Sequence, residues 1–134
     1  MGGKSSYFAN KVLGLSLSAS TFTAPSVVWS ALFTVIPSFA TGGTEVTNAS
    51  SGYTRVTTGF CTSGITTSGQ SVNTAAVTFA TAAAGYTVVG WALCDTSTVA
   101  SGNEFYWATV TTLALSIGDQ ATFAATTGIT ITEA

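Results

Sequence analysis

From Pro25 onward the chain is written in β-branched and aromatic residues, in short runs broken by clusters of Gly, Ser, Thr and Asn. These runs predict strands over 27–36 (VVWSALFTVI), 53–60 (YTRVTTGF), 71–80 (SVNTAAVTFA), 86–94 (YTVVGWALC), 104–112 (EFYWATVTT), 120–125 (QATFAA) and 129–133 (ITITE). Glycine-bearing turn signals fall between them at 41–43, 62–64, 67–69, 83–85, 100–103 and 118–119. Their spacing of about ten to fifteen residues suits antiparallel connections better than crossover helices. Ahead of Pro25 the period changes. Phe8, Val12 and Leu15 recur at helical spacing behind a capping Ser5 or Ser6, which predicts a short helix over 5–15. The expected architecture is all-β: one antiparallel β-sandwich over residues 25–134, of about seven strands and jelly-roll or immunoglobulin-like, preceded by a helix or arm over 1–24.

Composition changes that picture at the surface. Only 6% of residues are charged, against roughly 25% in an ordinary soluble chain, while 26 Thr and 16 Ser supply hydroxyls instead. A net charge of −2 with three cations gives no basic stripe, so nucleic acid is excluded as a partner. Strand edges without Lys or Glu invite association, and permanent burial in an assembly answers that risk. The N-terminus carries GKS and a myristoylation-like Gly2 with Ser6, but neither has the context its chemistry needs. The VLGLSLSA run is too short to span a bilayer and is interrupted by serines, so no membrane or secretion signal is read.

Chemistry is limited by what is missing. Without histidine, Ser-His and Cys-His nucleophile pairs and imidazole metal sites are excluded. Among the carboxylates, Glu45, Asp95, Glu104 and Glu133 are the members from which a glycosidase pair would be drawn, but Asp95 and Asp119 fit turn roles and Glu104 opens a strand. No enzyme, cofactor or metal site is expected. Cys61 and Cys94 have no CxxC spacing; they read as buried free thiols or as a disulfide. Trp29, Trp91 and Trp107 are candidate core residues. Lys4, Tyr7, Phe8, Lys11, Tyr53 and Tyr106 are candidate docking residues, the phenols because they tolerate half-wet sites. Asn48 begins a glycosylation-type triplet that reads as loop. Glu45 and Arg55, the latter the only arginine, flank nine residues and are expected to clamp that loop by an ion pair.

The order of a short N-terminal helix, VVWSALFTVIPS, GGTEV at 42–46, GYTRV at 52–56, an NTAAVTF strand, VVGWALCD at 88–95 and EFYWATVTT at 104–112 resembles a family of small tailed-phage virion structural proteins. Its members carry tail fibre, minor tail and head decoration labels. The resemblance covers nearly the whole chain and implies a virion component with no catalytic residues. It implies first a capsid decoration protein, stabilising the shell as a homo-oligomer, with a trimer favoured, bound to the major capsid protein or other virion proteins. The alternative it implies is a tail fibre or baseplate component, for which a host glycan becomes a partner.

Overall fold

A computed structural model describes residues 2–18, 21–60 and 69–132. In chain order its strands are β1 (Gly2–Lys4), β2 (Val28–Val35), β3 (Thr44–Glu45), β4 (Val56–Thr58), β5 (Gln70–Val72), β6 (Val77–Thr78), β7 (Tyr86–Cys94), β8 (Glu104–Leu115), β9 (Thr122–Phe123) and β10 (Thr130–Thr132). Helix α1 spans Ser6–Leu17 and α2 spans Asn48–Ser51. A six-stranded antiparallel sheet runs β1-β8-β7-β2, with β4 and β3 sharing the far edge of β2. Two ribbons, β5 with β10 and β6 with β9, form separate two-stranded sheets. The result is an antiparallel β-sandwich with a short N-terminal helix.

The two apolar runs took the two central places, where both faces of a strand are covered. On one face Leu32, Trp91 and Leu93 pack with Val77, Phe79 and Ile129 from the ribbon side and with Tyr53. On the other, Ala31, Phe33, Ala92 and Cys94 pack together with Trp107 against them. A register shift between Val88 and Gly90 flips the alternation of β7 and β8, so Val88 and Leu115 join the same core as Trp91. Gly90 also leaves the sheet bare enough for Pro37 to lie on it; a Cβ there would stand 3.2 Å from the proline Cδ. Inside the sheet the Trp91 indole N–H donates to Ser30 Oγ at 3.0 Å and Ser30 shares a 2.6 Å hydrogen bond with Thr58, whereas the Tyr86 hydroxyl and the Trp107 indole N–H are buried without a hydrogen-bond partner among the described residues.

Several expected elements came out differently. The 53–60 strand shrinks to Val56–Thr58 because Tyr53 turns inward and gives its hydroxyl to the core. The 71–80 strand divides at Asn73, whose buried amide caps surrounding loops instead of lying in a ladder. Its Nδ2 donates to the carbonyls of Ala75 and Ala124, each at 2.8 Å, and its Oδ1 accepts from Ile129 N at 3.0 Å. Trp91 is buried, whereas Trp29 and Trp107 are only partly covered. Cys94 carries a free thiol that burial pushes up to about 12, which leaves it unreactive; Cys61 lies outside the described residues.

Candidate functional site: an ion-pair clamp and an apolar arm

Glu45 and Arg55 meet. The loop between them folds into α2, ends at Gly52 in the left-handed region (φ 70°), and returns the chain so that both side chains point inward. Arg55 Nε donates to Glu45 Oε1 and Arg55 Nη2 to Glu45 Oε2, both at 2.8 Å, in the two-pronged geometry that suits guanidinium and carboxylate. The two side chains are 3% exposed each. Their remaining valences are filled by the rest of the fold. Arg55 Nη1 donates to Thr96 O at 2.8 Å, Ala100 N donates to Glu45 Oε2 at 2.6 Å, and the Tyr53 hydroxyl donates to Glu45 Oε1 at 2.9 Å. That hydroxyl in turn accepts from Leu32 N at 2.9 Å. The clamp thus ties the 45–55 loop to β2 and to the 96–100 turn.

This network corrects one expectation. Tyr53 is a core residue with no exposed surface rather than a docking residue, because its hydroxyl is needed between Leu32 and Glu45 and its ring lies on Phe79. Burial, with the Glu45 charge beside it, pushes its phenol far above the ordinary range.

Above the pair lies a cleft of about 390 Å³ whose rim includes Gly42, Gly43, Gly102 and Glu104. Gly43 sits at φ 66°, with the Pro37 nitrogen only 2.7 Å from where a Cβ would be, so the rim closes only with glycine there. Burial pushes Glu104 up to about 7, with Arg55 opposing the rise and Glu45 adding to it. Two carboxylates therefore face one cleft. Glu45, however, has both oxygens engaged by donors, and an acid or nucleophile needs a free one. Asp95 accepts from Asn103 N at 2.8 Å and from Asn103 Nδ2 at 2.7 Å, and Asp119 accepts from Ser116 N at 2.7 Å. Among the described residues no cluster of three potential metal-ligating side chains occurs.

The second feature is the N-terminal arm. Lys4 pairs in register with Tyr106, so β1 extends the sheet before α1 begins. Ser5 caps α1, its Oγ accepting from Phe8 N at 3.2 Å, and it also donates to the carbonyl of Glu104. Phe8 then packs edge-on against Phe22, Phe105 and Tyr106 with centroids 5.1–6.0 Å apart, and Tyr7 lies 6.1 Å from Phe105. The Lys11 ammonium stands 5.6 Å from the centre of the Tyr7 ring. Tyr7, Phe8 and Tyr106 are thereby engaged within the chain. The far half of the helix is not: no residue of α1 is buried, and Leu13, Leu15 and Leu17 are 54%, 49% and 80% exposed. Among the described residues no helix is long and apolar enough to cross a membrane.

A family model described as Podophage GP4 fiber I protein gp80 matches residues 3–132. The chain belongs to that family. A virion structural role follows, and the resemblance carried by the sequence motifs led to the same class. The match takes in the clamp residues and all of α1, so this fibre-family chain carries its exposed leucines inside the shared region. A search of curated proteins found no match.

Proposed function

We propose that the chain is a non-enzymatic structural subunit of a phage fibre whose apolar half of α1 is covered on assembly. The exposed leucine row carries this reading: the first turn of α1 packs on β8 through Tyr7 and Phe8, but Leu13, Leu15 and Leu17 find no cover among the described residues and call for a partner outside the chain. The family description supplies the fibre, and the saturated Glu45–Arg55 pair supports a scaffolding role for charges that a catalyst would leave accessible. Homo-oligomerisation, with a trimer favoured, is part of this reading, and an aromatic and hydroxyl surface leaves a host glycan as a partner of the assembled fibre. The test is location and copy number in purified virions, by labelled electron microscopy and quantitative mass spectrometry. A few dozen copies or fewer, at the tail, support the fibre. Hundreds spread over the shell would replace it with capsid decoration, the role that the family resemblance first implied.

A further inference from the structure

The described surface presents an apolar hole and an apolar knob on the same chain. The hole is a cavity of about 330 Å³ between α1, the 22–28 segment, β8 and the β5–β10 ribbon. Phe8, Phe22, Val28, Phe60, Phe105 and Ile131 wall it, and Gln70, Ser71 and Tyr106 are its members with polar atoms. No charged side chain lines it among the described residues. The knob is Leu13 with Leu17, one helical turn apart on one side of α1 and 54% and 80% exposed.

Neither leucine fills the hole of its own copy: both stay exposed and neither lines it. Phe8 is a wall of the hole, and Leu17 lies nine residues further along, about 13.5 Å at 1.5 Å per residue. We propose that Leu13 and Leu17 of one copy insert into the hole of the next, joining copies head to tail. The chemistry selects a second copy. Knob and hole are both uncharged, the one charge of α1 is Lys11 and it is turned over Tyr7, and each copy supplies one knob and one hole. A contact between unlike surfaces of identical chains propagates until it closes into a ring, which leaves neither surface exposed. This contact does not depend on where in the virion the protein sits, and it is read in solution without other virion proteins.

The test uses the full chain and sedimentation at about 100 μM, where contacts of ordinary affinity are saturated. Leu13→Ser with Leu17→Ser removes the knob, and both positions are exposed, so the fold is kept. Ala24→Trp fills the hole from an exposed wall position; Gln70→Trp does so from the ribbon side and replaces it if Ala24→Trp does not melt cooperatively. Wild type is expected as a closed oligomer of defined mass and each variant as a monomer. An equimolar mixture of the two variants is expected to form a dimer and stop there, because one intact hole receives one intact knob. A monomeric wild type overturns the proposal, as do variants that still assemble. A mixture that stays monomeric overturns it too, since an intact knob and an intact hole would then have failed to join.

Discussion

At the scale of single residues, the buried charges set the sharpest expectations. Glu45→Ala and Arg55→Ala each leave the other charge buried without its partner, so each is expected to cost about 3–5 kcal/mol. The double variant removes both charges, and its loss is expected to fall short of the sum, with a coupling of about 0.5–3 kcal/mol in urea melts. Additive losses would mean that the two groups act independently. Glu104 behaves in the opposite sense. Its folded-state value near 7 lies above the ordinary 4.5, so between those limits the folded chain holds a proton that the unfolded chain lacks. Stability is expected to rise as pH falls from about 7 to about 4.5. Glu104→Gln should abolish that rise and should be more stable than wild type above pH 7; an unchanged pH slope in the variant would refute this assignment. Asn73→Ala strips partners from Ala75 O, Ala124 O and Ile129 N, and three hydrogen bonds at about 1 kcal/mol each set a loss of about 3 kcal/mol.

Elements differed in how far they could be read from the sequence, and the differences have physical causes. β7 runs over the same residues, 86–94, that its apolar run predicts, and β2 falls one residue short at each end, because a strand covered on both faces must be apolar along its length. The 71–80 run failed at Asn73, and the signal was present, since Asn is disfavoured in ladders and favoured where a side chain replaces backbone partners. The scarcity of charge drew attention to Glu45 and Arg55. Their full burial was not legible, because it depends on Thr96 O, 41 residues from Arg55, and on Ala100 N, 55 residues from Glu45. The positive φ of Ala100, 56°, was equally invisible: a residue without a polar side chain is held left-handed so that its N–H reaches Glu45. Ala100→Gly keeps that N–H and removes the steric strain, less the flexibility that glycine adds to the unfolded chain. The expected outcome is a gain of up to about 1 kcal/mol in thermal melts, whereas a loss would show that the turn is unstrained.

At the scale of the whole molecule, the charge-poor composition and the exposed arm belong together. Leu13, Leu15 and Leu17 would be a liability on a protein that worked alone, because apolar surface of this kind associates. In the assembly proposed above the same surface would be covered once and stay covered. In such an assembly Thr and Ser would keep the remaining surface wet without repelling neighbouring copies, as a set of like charges at high local density would.

The pairing of Gly2 with Ala108 also bears on how the chain is born. The ribosome releases the N-terminus first, and at about 5–20 residues per second roughly 5 to 20 s pass before the partner of β1 is made. β2 waits similarly for β7, since Trp29 lies opposite Cys94. Nascent chains halted before residue 94 are therefore expected to be digested rapidly by added protease, and chains extended past 115 and clear of the exit tunnel to resist it. Through that interval the VLGLSL segment is synthesised, exposed and unassembled, which makes it the stretch where a holding chaperone of the infected cell would first take hold.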